Sequence, residues 1–225
     1  MKNIRVVQAD ITTLTVDAIV NSAKSSLTGG SGVDGAIHKA AGPELLEECW
    51  ELAPCFEGTC VVTKAYRLNC RCIIHTVAPH WRGGNNKEVE LLKSCYRSVL
   101  DAAKESGLHS IAIPCIGVGA YGIPHELGAR VAVQTTWEHD FDGEIVFCCF
   151  EPQDKAIYTE LLRQTSSREE KSESDEKADK TDATQTMPNP VINWDSPLIL
   201  RPRVENGVVI MPKEWRDDDD EDDDY

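Results

Sequence analysis

A carboxylate and an imidazole stand four residues apart in this sequence, at a spacing that could support hydrolytic chemistry. Asp34 and His38 would share one face of a helix, because residues i and i+4 are neighbours on a helical surface. A carboxylate so placed can act as a general base towards water, or can stabilise positive charge in a transition state. The pair is also compatible with a carboxylate that only stabilises the first turn of its helix, followed by a surface or core histidine.

The segment before this pair is rich in glycine. An apolar strand is predicted to end at Asn21 and a helix to begin near Val33, and the loop between them contains Gly29, Gly30, Ser31 and Gly32. Glycine lets the backbone approach a ligand closely, and free N–H groups at a helix start favour phosphate. The spacing matches neither the dinucleotide pattern GxGxxG nor the Walker pattern, so a plain tight turn is an alternative for this loop taken alone.

A second glycine-rich loop follows another apolar strand, Ile111 to Ile113, and leads into a helix that Pro124 can start. The centre of this loop consists of Gly117, Val118, Gly119, Ala120 and Tyr121. Two such loops after strands of one sheet predict the two walls of a single cleft at the carboxyl ends of the strands.

The order and spacing of these motifs resemble the macrodomain family, in particular its MacroD-type branch of mono-ADP-ribosyl hydrolases and O-acetyl-ADP-ribose deacetylases. The residues that carry the resemblance are Ala9-Asp10-Ile11-Thr12, Asn21, the segment Gly29 to His38, and Gly119-Ala120-Tyr121-Gly122-Ile123-Pro124. The resemblance extends over residues 1 to about 163 and does not cover 165–225. It implies a three-layer α/β/α domain with a mixed, largely parallel central sheet.

The resemblance assigns catalysis to the first loop and its helix. The Asp of the family that matches Asp34 is credited with catalysis, so Asp34 would lie beside the distal ribose and orient or activate water, and His38 would help shape this site. A second proposal for the family uses a phosphate of the ligand to position the water, and the sequence does not choose between the two. Asn21 and Lys24 complete the set that we predict for catalysis.

The resemblance also assigns the contacts with the ligand. Asp10, with the Ile11 backbone nearby, would accept a hydrogen bond from the adenine amino group. Phe150, a core residue by default, would lie near the adenine and could stack on it. Tyr121, by default an aromatic residue at a loop tip, would cover the distal ribose. The diphosphate would lie against the two loops, that is, against Gly29, Gly30, Ser31, Gly32, Val33, Gly117, Val118, Gly119 and Ala120.

The chain departs from this branch at two places. The four-residue unit after the strand, which normally has asparagine at both ends, is Asn21-Ser22-Ala23-Lys24 here. The missing asparagine normally contacts the distal ribose. Lys24 is longer, cationic and only a donor, so it could pair with Asp34 or with a ligand phosphate. The second loop has Gly117-Val118-Gly119 where Ser-Thr-Gly is usual, so a hydroxyl is lost while the backbone donors remain.

Composition limits the other functions open to the chain. The 225 residues have a net charge of −15 and the sequence pI is about 4.8, which argues against general nucleic-acid binding because phosphate contacts require Lys and Arg. The start shows no secretory signal, and no apolar run has membrane length, so no membrane association is expected. Nine cysteines, several in apolar strands, indicate buried thiols in a reducing compartment, and we expect a cytoplasmic protein.

No metal and no cofactor are predicted. Cys70-Arg71-Cys72 with His75 could suggest zinc, but the Cys-x-Cys pair has no matching second pair. The zinc-dependent branch of macrodomains has Cys and His ligands around the first glycine loop, and this loop contains no cysteine.

The chain is predicted to contain one α/β domain, residues 1–164, with helices on both faces of the sheet. Predicted strands are 4–9, 18–21, 60–66, 72–77, 110–116 and 144–150, and predicted helices are 33–41, 44–52, 88–106, 124–138 and 153–163. The remainder is an acidic extension predicted to be disordered, which holds 18 acidic and 8 basic residues. It comprises a linker, 165–190, an apolar island, 191–216, where Asn206-Gly207 predicts a hairpin, and an acidic tail, 217–225.

These observations predict a macrodomain that binds ADP-ribose and hydrolyses its esters. The substrates would be mono-ADP-ribosylated acidic side chains of proteins and O-acetyl-ADP-ribose, without a metal. The alternative is a non-catalytic reader of ADP-ribose, for which Lys24 is the main argument. A third hypothesis is a scaffold whose acidic tail engages a basic protein partner.

Overall fold

The computed structural model describes the backbone of residues 2–178, 203–205 and 208–210 and the side chains of residues 2–167. The chain divides into two units, Met1–Arg163 and Gln164–Tyr225. The first unit contains all the residues for which the sequence predicts a role in ADP-ribose binding or catalysis.

Six strands form the sheet of the first unit. They are β1 Ile4–Gln8, β2 Ala18–Ala23, β3 Cys60–Lys64, β4 Cys72–Val77, β5 Ser110–Pro114 and β6 Glu144–Cys149. Their order across the sheet is β1-β6-β5-β2-β4-β3. The pairs β1–β6, β5–β6, β2–β5 and β2–β4 are parallel, and β3 is antiparallel to β4. The predicted mixed, largely parallel sheet is confirmed.

Five helices accompany the sheet: α1 Gly32–Ala41, α2 Pro43–Leu52, α3 Glu88–Glu105, α4 His125–Glu138 and α5 Pro152–Ala178. A short 3-10 helix, Ile11–Thr13, follows β1. Gly42 separates α1 from α2 with a φ of 98°, and Pro43 occupies the first turn of α2, where its missing N–H costs nothing. The bounds of α1 to α4 agree with the prediction to within two residues.

Helix α5 continues to Ala178, beyond its predicted end at 163 and into the predicted linker. The segment that follows 163 is rich in Glu and Lys, which have high intrinsic helix propensity, and composition alone does not distinguish a charged helix from a disordered segment. Residues 179–190 of the linker lie outside the described residues.

The helices cover both faces of the sheet, so the predicted three-layer arrangement is confirmed. One apolar cluster joins Ile37 of α1 and Leu45 of α2 to strand residues such as Ile19 and Ile73. Side chains alternate along a strand, so Phe147 of β6 faces the opposite side from Val146, which belongs to that cluster. There the Phe147 ring contacts Tyr158 of α5, with the ring centroids 4.8 Å apart.

The parallel strands end at a common edge of the sheet, and this edge carries the loops of interest. Because β1, β2, β4, β5 and β6 run in the same direction, the residues that follow each of them meet there. These residues are Asp10 after β1, the first glycine-rich loop after β2, His80 after β4, the second glycine-rich loop after β5, and Phe150 after β6.

The second unit contains two short described strands, β7 Arg203–Glu205 and β8 Val208–Ile210. They pair antiparallel with Glu205 opposite Val208, on either side of Asn206-Gly207. The rest of the predicted apolar island, and the whole acidic tail 217–225, lie outside the described residues. Among the helices of the described part, none is both long and apolar enough to cross a membrane.

Candidate functional site

The first glycine-rich loop packs directly on Asp34 and His38. Asp34 lies in the first turn of α1 and is buried, with 5% of its surface exposed. A Cβ added to Gly30 would lie 3.2 Å from Asp34 Oδ2, and one added to Gly29, whose φ is +70°, would lie 3.1 Å from His38 Cγ. A Cβ on Gly35 would lie 2.3 Å from the Gly30 carbonyl oxygen. The glycines are therefore needed for the close approach of this loop to the carboxylate and the imidazole.

Asn21 connects Asp34 to a histidine that the sequence did not single out for this role. The Asn21 Nδ2 donates to Asp34 Oδ1 over 2.8 Å and lies 3.0 Å from Nδ1 of His75. Asn21 and His75 are register partners on the parallel strands β2 and β4, and both are fully buried. His38 Nε2 lies 3.6 Å from the same Asp34 oxygen. The structure thus brings the predicted Asn21, Asp34 and His38 together and adds His75.

Burial favours the neutral form of both imidazoles. Burial, together with the smaller effect of the charge of His38, lowers the pKa of His75 to about 3. Burial also lowers the pKa of His38, against the opposing effect of the Asp34 carboxylate, and the Lys24 ammonium contributes to the lowering. Neither the His38 Nε2 nor the Asn21 Oδ1 has a hydrogen-bond partner among the described residues, although both atoms are buried.

Lys24 does not pair with Asp34. Its side chain is exposed, and the described part of the chain contains no ion pair between the two residues. Asp34 instead takes its hydrogen bond from Asn21. The sequence suggested Asp34 or a phosphate of the ligand as the ion-pair partner of Lys24, and only the phosphate therefore remains as a candidate.

The second glycine-rich loop closes on itself through its backbone. Ile123 N donates to Gly117 O and Gly122 N donates to Gly119 O, each over 3.0 Å. Gly117 has a φ of +75°, and a Cβ there would lie 2.5 Å from Ile123 Cδ1, so this position requires glycine. Gly119 and Ala120 are exposed at the tip, while the Val118 side chain is buried. Val118 can therefore offer a ligand little beyond its backbone.

Tyr121, at the end of the second glycine-rich loop, contacts the loop that follows β4. Its ring stacks on His80 with the centroids 4.1 Å apart, and its carbonyl accepts from Trp81 N over 2.8 Å. Burial raises the pKa of Tyr121, and the negative charges of Asp34 and Glu57 raise it further.

Glu88 fixes the loop that holds Tyr121. Its carboxylate accepts from the backbone N–H groups of Arg82 and Gly84, over 3.0 and 3.2 Å. Sequence reasoning missed this residue and His80. The available signal for Glu88 was an acidic residue at the start of α3, shortly after the glycine pair Gly83-Gly84, because carboxylates favour the free N–H groups near a helix start.

Asp10 and Phe150, which the sequence predicts to contact adenine, follow β1 and β6 and are both exposed. Asp10 caps the 3-10 helix, since its Oδ1 accepts from Thr12 N over 2.9 Å and from Thr12 Oγ1 over 2.7 Å. Phe150 is 76% exposed, so its default assignment to the core is wrong. Ala9 N donates to Cys149 O, which places the ends of β1 and β6 side by side, and Ile11 is buried next to Asp10. An exposed aromatic ring and an exposed carboxylate therefore lie at neighbouring strand ends.

One group of three side chains in the described part of the chain has the arrangement of a metal site. The ligand atoms of His38, Cys49 and His75 lie within 4.8 Å of one another. Burial raises the pKa of the Cys49 thiol to about 12, and both ring nitrogens of His75 are engaged, by Asn21 and by Thr63. A metal there would have to displace these hydrogen bonds.

Comparison with known proteins locates the same region. The family model described as Macro domain matches residues 20–132. A Macro domain-containing protein of Ralstonia nicotianae is 52% identical over 162 residues, which cover 72% of this chain and 95% of the relative. An O-acetyl-ADP-ribose deacetylase of Salmonella typhimurium is 44% identical over 169 residues, covering 72% and 94%.

Solved structures show the same similarity. The Oceanobacillus iheyensis macrodomain with ADP has a TM-score of 0.71 and 39% identity, over 73% of this chain and 92% of that one. The Trypanosoma brucei macrodomain in complex with ADP-ribose has a TM-score of 0.66 and 38% identity, over 71% and 69%. Each of these matches leaves more than a quarter of this chain uncovered.

Proposed function

Because this chain belongs to the macrodomain family, we propose that it binds ADP-ribose and hydrolyses ADP-ribosyl esters. The substrates are mono-ADP-ribosylated acidic side chains of proteins and O-acetyl-ADP-ribose. Two observations on relatives support the proposal: the Salmonella typhimurium relative is named an O-acetyl-ADP-ribose deacetylase, and the Trypanosoma brucei macrodomain was solved with ADP-ribose.

The two ends of the cleft suit the two ends of ADP-ribose. Phe150 offers an exposed ring on which adenine stacks, and Asp10 accepts from the adenine amino group. The diphosphate lies between the two glycine-rich loops, where the start of α1 presents free N–H groups and a positive dipole end. The distal ribose then lies beside Asp34 and under Tyr121.

The observation that carries the hydrolytic part of the proposal is the buried Asp34 carboxylate, held through one oxygen by Asn21. Asp34 orients or activates the water that cleaves the ester at the distal ribose, and water and ester yield ADP-ribose and a carboxylic acid. Asn21 Oδ1, a buried acceptor with no partner among the described residues, accepts a hydrogen bond from a ribose hydroxyl. The reaction needs these side chains and water, and no step is assigned to a metal.

Calorimetric titration with ADP-ribose tests binding, and release of ADP-ribose from O-acetyl-ADP-ribose and from a protein modified on glutamate tests hydrolysis. We expect binding, turnover of both substrates, and unchanged rates in the presence of a chelator. Absence of binding at millimolar ADP-ribose would contradict the whole proposal, whereas binding without release would contradict only its hydrolytic part.

A non-catalytic reader of ADP-ribose is the second candidate, and Lys24 is the observation that favours it. Lys24 is exposed where the branch normally has asparagine, and its charge adds to the lowering of the His38 pKa. If the wild type binds without turnover, Lys24→Asn decides between the two: activity in that variant would show that Lys24 made the chain a reader. Lys24→Gln is the matched control, because it removes the charge and keeps most of the side-chain length.

A further inference from the structure

A buried histidine beside the site has no role in the proposed chemistry, yet both of its ring nitrogens are engaged. His75 has no exposed surface. Its Nδ1 lies 3.0 Å from Asn21 Nδ2, and its Nε2 lies 2.9 Å from Thr63 Oγ1. A chain of hydrogen bonds therefore runs from Thr63 on β3 through β4 to Asn21 on β2 and on to Asp34.

The direction of each bond in this chain follows from Asp34, because a carboxylate only accepts and the Asn21 group that faces it is therefore the NH₂ group. The same NH₂ group faces His75 Nδ1, which must then accept. A neutral imidazole has one donor and one acceptor nitrogen, so Nε2 carries the imidazole proton. Thr63 Oγ1 accepts from Nε2, and its own hydroxyl can donate to the carbonyl oxygen of Lys64, 3.1 Å away.

An acceptor at His75 Nδ1 stabilises one of the two orientations of the Asn21 side-chain amide. Its NH₂ group supplies both required protons, one to His75 Nδ1 and one to Asp34 Oδ1 over 2.8 Å. The opposite orientation would put the amide oxygen against two acceptors at once. The NH₂ group thus holds the carboxylate, and the buried Asn21 Oδ1 stays available as an acceptor.

We propose that Thr63 and His75 are positioning residues for hydrolysis, which fix the amide orientation of Asn21 and, through it, the carboxylate of Asp34. The inference rests on the proposed function. Neither residue touches the substrate, and each acts through Asn21. The low pKa of His75 keeps its Nδ1 free to accept across the physiological pH range.

Thr63→Val tests the proposal, because valine keeps the shape of threonine and removes only the hydroxyl, while Thr63→Ser is the matched variant that keeps it. We expect Thr63→Val to lower kcat by about 10-fold, since a buried donor loses its acceptor, and to leave KM and the Kd for ADP-ribose nearly unchanged. Thr63→Ser should restore most of kcat. A wild-type kcat in Thr63→Val would overturn the proposal. So would a lower kcat together with a higher KM and a higher Kd for ADP-ribose in both variants.

A second measurement uses the unaltered protein and requires neither turnover nor a folded variant. Long-range ¹H–¹⁵N correlation of the histidine rings should show His75 protonated at Nε2 and unprotonated at Nδ1. A proton at Nδ1 would overturn the positioning role even in an active enzyme. If the protein binds ADP-ribose without hydrolysing it, the hydrolytic part of the proposed function fails, and this NMR assignment decides separately whether the Asn21 amide is held as described.

Discussion

The two ends of the proposed ligand site differ in burial and in whether the hydrogen bonds of their side chains are local or connect neighbouring strands. At the end proposed to bind adenine, Phe150 is 76% exposed and Asp10 is exposed, and the bonds of the Asp10 carboxylate are local ones to Thr12. At the end proposed to bind the distal ribose, Asp34 is 5% exposed and accepts from Asn21 of β2, whose amide also lies within hydrogen-bond distance of His75 of β4.

This difference suggests that one end of the site contributes mainly to affinity and the other mainly to the rate of hydrolysis. Stacking on an open ring tolerates small movements, whereas a carboxylate that must orient water has to be held in one position before substrate arrives. We therefore expect substitutions at the adenine end to change binding, and substitutions at the ribose end to change turnover.

The largest effect should come from Asp34→Ala. Loss of a general base lowers the rate by about 10²-fold or more, so we expect kcat for release of ADP-ribose to fall by at least that factor while ADP-ribose still binds. Release assays and calorimetry on the same preparation measure both quantities. Near-normal turnover would show that Asp34 is only a carboxylate at a helix start.

The second prediction concerns the pH dependence of stability at the buried end. The folded-state pKa of His75, about 3, lies below the reference value of 6.5, so the unfolded chain binds more protons between these values. The stabilisation is fully present above pH 6.5 and is lost as the pH falls. Between pH 7 and pH 5 we expect His75 to contribute a loss of about 2 kcal/mol in the free energy of unfolding.

Denaturant unfolding at several pH values measures this loss, with His75→Gln as the control. In this control the free energy of unfolding should change less between pH 5 and pH 7. The change that remains includes a contribution from His38, whose pKa is also lowered. Identical slopes in the two proteins would mean that His75 is not held neutral in the folded state.

A smaller effect is expected from Phe150→Ala at the exposed end. Base–aromatic stacking contributes about 1–3 kcal/mol, so affinity for ADP-ribose should fall by about 10-fold with kcat nearly unchanged. Phe56→Ala, an equally simple truncation of another exposed ring, serves as the control. If Phe150→Ala lowered kcat without changing the Kd for ADP-ribose, the proposal that the Phe150 end serves binding and not turnover would be wrong.

The smallest effect should follow removal of the residues after α5. A chain that ends at Ala178 should bind ADP-ribose with the same affinity as the full chain, because every proposed contact lies before Glu151 and the acidic residues removed would repel the phosphates of the ligand. Calorimetry on both chains checks this expectation. Weaker binding by the shorter chain would place part of the site in the second unit.

Local features of this protein were predictable because they depend on residues close together in the chain. The periodicity of apolar residues, Pro43 and Gly42 located α1 and α2, and the spacing of Asp34 and His38 placed both on one face of α1. The close packing at Gly29 and Gly30 agrees with the glycine-rich loop in front of them. Where apolar periodicity is absent, composition alone did not locate the end of a helix: α5 was predicted to end at 163 and ends at Ala178.

By itself, then, the sequence determined helices α1 to α4, the locations of the six strands of the first unit and the two glycine-rich loops, because hydrogen bonding within helices and the conformational needs of glycine and proline are local. Only the tertiary structure decided which side chains meet across strands. The pairing of β2 with β4 and of β4 with β3 brings Asn21, His75 and Thr63 into one chain of hydrogen bonds, although 54 residues separate Asn21 from His75 in sequence. It also decided that Phe150 is exposed, because the burial of a residue at a strand end depends on what the rest of the chain packs against it.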